Sequence, residues 1–215
     1  MAAIAGPSSG QLAAVILAAG LGRRLGCIPK AALRFGDTTI LEGTVGALRA
    51  SDVAQVSLVI GPYRDQLLPL AVYCGVNVLE HRLERPSLAD SQRLALNAHV
   101  ANFPHYDLLL VLADLPLLSC ADIRHLTDHW WHRAPKVQAL MPVVSGARGH
   151  PLLLSSEAVS LALATPADRS IRDWLTANVD VTWKLPCSQR SYVTDVDTEE
   201  DLRRLQALLE PSPWK

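Results

Sequence analysis

The sequence predicts a three-layer α/β/α protein, in which helices cover both faces of a mostly parallel, Rossmann-like sheet. Short apolar segments alternate along the chain with amphipathic helical patterns, as in successive βαβ units. Residues 108–112 form an unbroken LLLVL run, which is typical of a central strand buried on both faces. The composition agrees, because 49% of the residues are hydrophobic but only 5% are aromatic, as in an aliphatic interior.

Four strands are expected where apolar residues run together over a length too short for a helix. They cover residues 12–17, 56–60, 76–79 and 108–113. Because helical patterns fill the stretches between them, we expect these strands to be joined by helices and to lie in one sheet.

Two helix starts are marked by a hydroxyl residue followed three positions later by an aspartate, a pair that satisfies the free N–H groups of a first helical turn. Ser119 and Asp122 form one such pair, and Thr198 and Asp201 form the other. The last helix is expected to run from there to about Leu209.

A single domain is expected over residues 12–210, between a flexible N-terminal tail of residues 1–11 and a C-terminal tail of residues 211–215. The sequence contains no internal repeat or low-complexity tract. Proline-containing segments around Pro86, within residues 142–151 and around Pro186 are expected to be loops of this domain.

Charge and cysteine content narrow the class of protein. The chain has 20 Lys and Arg against 21 Asp and Glu, so a broad basic surface for nucleic acid is not expected. The four cysteines are scattered without a CxxC pair, which argues against a disulfide framework or a zinc knuckle. The apolar run at residues 12–19 is too short to cross a membrane. These features predict a cytoplasmic protein that binds a small ligand.

A phosphate-binding loop is predicted directly after the first strand, where residues 17–26 read LAAGLGRRLG. Small residues let main-chain N–H groups approach a triphosphate, and Arg24 and Lys30 add fixed positive charge. A dinucleotide loop and a simple tight turn are the alternatives, although the glycine spacing is neither GxGxxG nor that of a P-loop. The predicted nucleotide-binding residues of this segment are Leu17, Ala18, Ala19, Gly20, Gly22, Arg23, Arg24 and Lys30.

A carboxylate follows the most hydrophobic strand, in the segment ADLP that contains Asp114. Open α/β sheets bind ligands at the carboxyl ends of their strands, and a carboxylate oxygen is a suitable ligand for Mg²⁺. An aspartate that only caps a turn is the structural alternative.

Four motifs taken in order resemble one family. They are LAAGLGRRLG with Lys30, ADLPLLS with Asp114, RGHP at residues 148–151, and DVDTEEDL at residues 195–202. Together they resemble the molybdenum cofactor cytidylyltransferase group of the MobA-like NTP transferases, over residues 12–209. The first motif is shared across the wider nucleotidyltransferase superfamily, whereas RGHP resembles the cytidylyltransferase branch.

The resemblance implies an enzyme that moves CMP from CTP to the molybdenum cofactor, molybdopterin, and releases pyrophosphate. It implies that Arg24, Lys30 and Asp114 are catalytic, and that Asp114 holds Mg²⁺ together with Asp197 or Asp195. Two separated strand-end carboxylates suit this role, because they can clamp one metal against phosphate oxygens. A molybdenum hydroxylase or its maturation factor is the implied protein partner.

The resemblance also implies residues near the acceptor and the nucleoside. Arg148, Gly149, His150 and Pro151 would lie beside the acceptor, with Asp168 and Arg172 in a following loop. That loop resembles GDxGxR but reads ADRSIR, without the glycines. Ser91 is the expected nucleoside contact, in a segment at residues 85–92 where the family's usual glycine is absent.

Three other functions fit parts of the sequence. A GTP-dependent or sugar-phosphate nucleotidyltransferase would keep the loop and Asp114 but use another acceptor segment than RGHP. A carrier or maturation chaperone would bind nucleotide or cofactor without needing Lys30, Asp114 and Asp197 together. An NAD-dependent dehydrogenase would need an acidic residue after the second strand to bind the ribose, and residues 60–62 offer none.

Overall fold

The computed structural model of the chain describes residues 11–207. The tails predicted at residues 1–11 and 211–215 lie outside this range, apart from Gln11, and so does the expected helix end at Leu209. None of the described helices combines the length and apolar character needed to cross a membrane.

The described residues form strands and helices that mostly alternate along the chain. In chain order they are β1 (Leu12–Leu17), β2 (Arg34–Phe35), β3 (Thr38–Thr39), α1 (Ile40–Ala50), β4 (Gln55–Ile60), α2 (Arg64–Cys74), β5 (Asn77–Glu80), α3 (Leu88–Asn102), β6 (Asp107–Leu112), α4 (Cys120–Trp131), β7 (Ala139–Val144), β8 (Ala147–Arg148), β9 (Leu152–Leu154), α5 (Ser156–Leu163), α6 (Ile171–Ala177), β10 (Thr182–Cys187) and α7 (Glu199–Gln206).

One large sheet runs in the order β10-β7-β9-β6-β1-β4-β5, and β8 pairs with β7 beside this path. The pairs β1/β4, β1/β6, β4/β5 and β7/β10 are parallel. Strand β9 is antiparallel to both of its neighbours, β6 and β7. The predicted mostly parallel sheet is therefore confirmed.

Apolar side chains on each face of the sheet meet a layer of helices. On one face, helices α1, α2 and α4 contribute Leu48, Leu67 and Leu126 to a buried cluster. On the other face, helices α3, α5 and α6 form a second cluster that includes Leu96 and Trp174. The helices thus cover the sheet on both sides, and the predicted three-layer architecture is confirmed.

The four predicted strands are present as β1, β4, β5 and β6, with ends shifted by at most one residue. The loops expected at Pro142 and Pro186 are wrong, because these prolines lie in β7 and β10. Strand β10 is an edge strand, so a residue without an N–H is tolerated there. Strand β9 pairs with β7 only at Ala139 and Leu140, so the ladder on that side ends before Pro142.

The predicted capping pairs are both present, at the starts of α4 and α7. The same device starts α3, where the Ser87 side chain accepts from the Asp90 N–H and Asp90 accepts from the Ser87 N–H. The segment at residues 85–92 is thus the ordered entry to a helix.

Candidate active site

The loop after β1 is a compact turn that requires glycine at position 22. Gly22 has a φ of 53°, and a Cβ atom there would lie 2.1 Å from the Ile28 carbonyl oxygen. Its own carbonyl accepts from the N–H groups of Leu25 and Cys27. Gly20, in contrast, borders open space. The loop therefore closes on its inner side while Gly20 faces the region where a ligand can approach.

A small apolar cluster brings this loop to the last helix. Leu25 and Val196 are both buried in it. Arg24 directly precedes Leu25 in the sequence, and Asp197 directly follows Val196. The Arg24 guanidinium lies 2.6 Å from the Asp197 Oδ2 atom. Because the Arg24 side chain is 70% exposed, it stays accessible to a ligand.

The pairing of β1 with β6 places Asp114 beside the same loop. Leu17 and Leu112 are paired in register at the ends of the two strands. Beyond them the Ala113 N–H donates to the Leu17 carbonyl, and the Val196 N–H donates to the Asp114 carbonyl. Backbone contacts thus hold together three segments that are far apart in the sequence.

An acidic cluster, formed by Asp114, Asp195 and Asp197, lies where these segments meet. One carboxylate oxygen from each residue lies within 4.8 Å of the others. The Lys30 ammonium group sits between them, 2.9 Å from Asp114 Oδ2 and 2.6 Å from Asp197 Oδ1. Asp114 Oδ1 is buried and has no hydrogen-bond partner among residues 11–207.

The electrostatics of the cluster are those of three crowded carboxylates with two cationic side chains, Lys30 and Arg24, in contact with them. Burial, together with the negative charges of Asp114 and Asp197, raises the pKa of Asp195. Burial lowers the pKa of Lys30, but the charge of Asp114 and the hydrogen bonds to Asp197 and Asp114 outweigh it and raise that pKa overall. Lys30 is therefore charged at neutral pH, and it compensates only part of the surrounding negative charge.

Two adjoining cavities meet at Gly20 and Lys30. The first, of about 240 Å³, extends towards the start of α3. The second, of about 320 Å³, lies over the loop after β1 and reaches Asp197. Gly20 and Lys30 therefore line both cavities and form a wall that the two share.

The structure brings the predicted nucleotide-binding residues together around this space. The first cavity is lined by Leu17, Ala18, Ala19, Gly20, Lys30 and Ser91 from that set, and also by Asp114, which was predicted as a catalytic and metal-binding residue. The second is lined by Gly20, Gly22, Arg23, Arg24 and Lys30. Sequence reasoning missed Ala31, Pro86, Ser87, Leu88, Leu112 and Ala113 as lining residues. The spacing of Ser87 and Asp90 was the available signal, because it marks the helix start that borders the cavity.

The RGHP segment packs against the chain that leads to the acidic cluster. A Cβ atom on Gly149 would lie 2.7 Å from the Tyr192 carbonyl oxygen, so this close approach requires glycine. The His150 N–H donates to the same carbonyl, at 2.9 Å. Pro151, the last residue of the motif, is buried at the entry to β9.

The His150 ring is neutral in the native protein. Burial lowers its pKa to about 4, although the Leu110 carbonyl and the charge of Asp114 both favour the protonated ring. Its Nδ1 atom is inaccessible to solvent and lacks a hydrogen-bond partner in the described part of the chain.

The remaining predicted acceptor residues lie outside the two cavities. Arg148 and Arg172 are exposed, and Arg148 donates to the Thr176 hydroxyl of α6, one turn after Arg172. Asp168 is exposed in the loop before α6. The structure thus brings the two arginines to one helix but does not join them or Asp168 to the acidic cluster. Their contact with an acceptor stays a prediction.

A family model, described as the MobA-like NTP transferase domain, matches residues 14–181. The chain belongs to the MobA-like NTP transferase family. The predicted class of enzyme, a nucleotidyltransferase, is thereby confirmed. The expected fold is confirmed as well, because the chain has a mostly parallel sheet between two layers of helices and superposes on a solved structure over 92% of its length.

Two proteins with different names are similar to this chain in sequence. Nicotine blue oxidoreductase of Paenarthrobacter nicotinovorans is 28% identical over 202 residues, which cover 89% of this chain and 94% of that protein. The 2-C-methyl-D-erythritol 4-phosphate cytidylyltransferase of Enterobacter sp. (strain 638) is 42% identical over 92 residues, or 41% of this chain and 38% of that enzyme.

Among solved structures, Rv0371c from Mycobacterium tuberculosis H37Rv superposes with a TM-score of 0.76 at 26% identity, over 92% of this chain and 98% of its own. A second structure of that protein, in complex with manganese, has a TM-score of 0.70 at 24% identity over the same shares of both chains.

Proposed function

We propose that this enzyme transfers CMP from CTP to the molybdenum cofactor, molybdopterin, and releases pyrophosphate. The observation that carries the proposal is the acidic cluster beside the phosphate loop, in which Asp114 Oδ1 is buried and has no hydrogen-bond partner within residues 11–207. The RGHP motif supports the cytidylyltransferase branch, and one similar protein is named a cytidylyltransferase.

The reaction needs no nucleophile from the protein. An oxygen of the acceptor phosphate attacks the α-phosphorus of CTP, and the bond from that phosphorus to the bridging oxygen breaks, so pyrophosphate leaves. The attacking phosphate is already an anion at neutral pH. The protein's part is alignment and charge neutralisation, for which Lys30, Arg24 and the N–H groups of the loop are positioned.

The acidic cluster fits a divalent cation. Its donors are carboxylate oxygens, the ligands that Mg²⁺ and Mn²⁺ prefer, and Asp114 Oδ1 has no protein partner within residues 11–207. We propose that Asp114, Asp195 and Asp197 hold Mg²⁺. When bound, the ion supplies positive charge to the phosphates. The manganese complex of the mycobacterial relative supports a divalent cation in this fold.

The acceptor is proposed to lie on the side of RGHP. Arg148 and Arg172 offer exposed positive charge near α6, which suits a phosphorylated molecule, and His150 follows Arg148 in the same segment. Asp168 is the expected partner for a hydrogen-bond donor of the acceptor. We further propose a cytoplasmic enzyme that delivers its product to a molybdenum hydroxylase or its maturation factor. Its four free cysteines agree with a reducing compartment.

The test is pyrophosphate release with each of the four NTPs, Mg²⁺ and isolated molybdenum cofactor. We expect release with CTP above the other three, and loss of release without the metal. Absence of pyrophosphate with every NTP, while nucleotide still binds, would leave the carrier function as the better description.

A second acceptor has a specific observation in its favour, namely the similarity to the methylerythritol phosphate enzyme over 92 residues. The same assay with CTP and 2-C-methyl-D-erythritol 4-phosphate distinguishes the two. An NADPH-oxidation assay serves as the control suggested by the similar oxidoreductase, and we expect no oxidation.

A further inference from the structure

The polar side chains that line the first cavity fall into two groups. Lys30 and Asp114 belong to the acidic end, whereas Ser87 and Ser91 lie at the start of α3. The Ser87 hydroxyl is used by the helix cap, because it donates to Asp90 Oδ2 and accepts from the Asp90 N–H. Ser91 is thus the buried side chain at this end that can recognise a nucleoside by hydrogen bonding.

Ser91 is itself held by two groups. Its hydroxyl lies 3.1 Å from the Ser87 carbonyl oxygen and 3.2 Å from the His81 Nε2 atom. The residue is only 5% exposed, so these contacts are shielded from water. His81 reaches it from the end of β5, where the His81 N–H donates to the Ile60 carbonyl and extends the sheet.

The hydroxyl hydrogen of Ser91 is used inside the protein whichever tautomer His81 adopts. If Nε2 carries the proton, it donates to Ser91, whose own hydrogen then bonds the Ser87 carbonyl. If Nε2 is bare, the Ser91 hydroxyl donates to it. In both arrangements Ser91 can offer the cavity only a lone pair. Burial lowers the pKa of His81, so the ring is neutral and one of these arrangements holds at neutral pH.

We propose that His81 is a positioning residue for nucleotide recognition, which acts with the Ser87 carbonyl to make the Ser91 hydroxyl a hydrogen-bond acceptor towards the cavity. This inference rests on the proposed nucleotide transfer and adds a rule of selection to it. A nucleoside with an N–H or O–H donor at Ser91 binds well, and one with an acceptor at the same place is rejected because two lone pairs face each other. Two groups of CTP could supply the donor, the amino group of the base and a ribose hydroxyl.

The experiment measures the dissociation constants of CTP, UTP and dCTP in the presence of Mg²⁺ by calorimetry. UTP replaces the amino group by a carbonyl, and dCTP lacks the 2′-hydroxyl. We expect the wild-type chain to prefer CTP over one of the two by about tenfold, as for a lost buried hydrogen bond. If UTP is the weaker ligand, the donor is the amino group of the base. If dCTP is the weaker ligand, the donor is the 2′-hydroxyl.

The variants then assign the preference to these residues. Ser91→Ala and His81→Phe are each expected to reduce the preference for CTP to within about twofold. The double variant should bind CTP no more weakly than Ser91→Ala alone. His81→Gln keeps an N–H and a carbonyl and should restore most of the preference. The matched control is His99→Phe. His99 is a buried histidine of α3, the helix that contains Ser91, and its ring is hydrogen-bonded to the Tyr106 carbonyl. This variant should leave the preference for CTP unchanged.

Tripolyphosphate is the probe that lacks a nucleoside, and all folded variants should bind it like the wild type. The inference is overturned if the wild type treats the three nucleotides alike, if Ser91→Ala keeps the preference, or if the variants weaken every ligand equally, tripolyphosphate included. If CTP binds with the stated selectivity but pyrophosphate is never released, the proposed transfer fails while this inference stands. A wild-type chain that binds no nucleotide overturns both.

Discussion

Two aspartates at opposite ends of the same strand have opposite surroundings. Asp107 starts β6, and each of its carboxylate oxygens is bonded. Oδ2 accepts from Trp130 Nε1 and from the Arg133 guanidinium, and Oδ1 accepts from the Ser156 N–H. Asp114 follows the other end of β6, where one oxygen contacts Lys30 and the other has no partner within residues 11–207.

The difference separates a carboxylate that stabilises the fold from one that is available for chemistry. The Asp107 network joins β6 to the end of α4 and the start of α5, and the Arg133 guanidinium lies 3.6 Å over the buried Trp130 ring. Asp114 instead faces two more carboxylates, an arrangement that costs stability unless a cation neutralises it. Two carboxylates associated with the same strand can therefore have different functions, and variants can separate the two roles.

The largest expected effect is on activity, from Asp114→Asn. It removes one charge from the acidic cluster, so kcat should fall by about a thousandfold or more, the scale of a lost metal or transition-state contact. The free energy of unfolding should stay within about 1 kcal/mol of the wild-type value, because the ion pair with Lys30 and the repulsion by Asp195 and Asp197 are lost together. Pyrophosphate release and calorimetry on the same sample measure both quantities. A variant that keeps its kcat would show that Asp114 has no catalytic role.

Asp107→Asn is expected to give the reverse pattern. It removes the charge that holds Arg133 in a half-buried position, so the free energy of unfolding should fall by about 3 kcal/mol. The kcat per folded molecule should not change, since the site lies at the other end of β6. Urea unfolding followed by Trp fluorescence measures the first quantity. Loss of kcat in a fully folded sample would mean that the two ends of the strand are coupled.

His150 extends the contrast to pH, because its Nδ1 atom is also buried and has no hydrogen-bond partner in the described part of the chain. Its native pKa of about 4 lies below the ordinary 6.5, so the unfolded chain binds the proton first as the pH falls. The contribution of the neutral His150 ring to the free energy of unfolding is complete above pH 6.5. As the pH falls towards 4, this contribution is lost, and the free energy of unfolding falls by on the order of 2–3 kcal/mol.

Unfolding free energies from pH 7 to 4 test this for the wild type and His150→Gln, whose curve should be flatter. His105→Gln, at an exposed histidine, is the control and should follow the wild type. Parallel curves for the wild type and His150→Gln would show that His150 titrates normally.

The smallest expected effect is a stabilisation, from Asp195→Asn in metal-free buffer. The raised pKa of Asp195 reflects burial and repulsion by Asp114 and Asp197, both of which the neutral amide relieves. Asp195 is only partly shielded and stays exposed overall, so solvent screens these interactions and the gain should be below about 1 kcal/mol. Differential scanning calorimetry with EDTA measures it, and added Mg²⁺ should stabilise the wild type more than the variant. A destabilised variant would mean that the cluster is not repulsive.

Local chemistry made one part of this molecule predictable. The loop at Gly20 and the carboxylate at Asp114 directly follow strong apolar strands, and the strand ends of a parallel sheet meet at one edge, so their proximity follows from the pattern. The first family motif and the capping pairs are local as well. For these reasons the sequence predicts the proximity of the phosphate-binding loop and Asp114, whereas it missed the part of the cavity wall that Pro86, Ser87 and Leu88 contribute.

Long-range contacts made the rest unpredictable. The partners of Asp107 come from α4 and α5, and no spacing in the sequence marks them. Strands β7 and β10 contain Pro142 and Pro186, and proline has no N–H to donate to a neighbouring strand. Whether such a strand fits in the sheet depends on the strand order, which the local sequence does not show. The sequence also left Asp195 and Asp197 as alternatives, whereas the fold brings both to Asp114.

Direct titration of Mn²⁺, followed by calorimetry and by electron paramagnetic resonance, tests the central claim that the acidic cluster binds a divalent cation. We expect the wild type and Asp107→Asn to bind Mn²⁺ in the presence of CTP with the same affinity, and Asp114→Asn to bind it at least about tenfold more weakly, as for loss of a charged ligand. Equal affinity of Asp114→Asn and the wild type would contradict the claim.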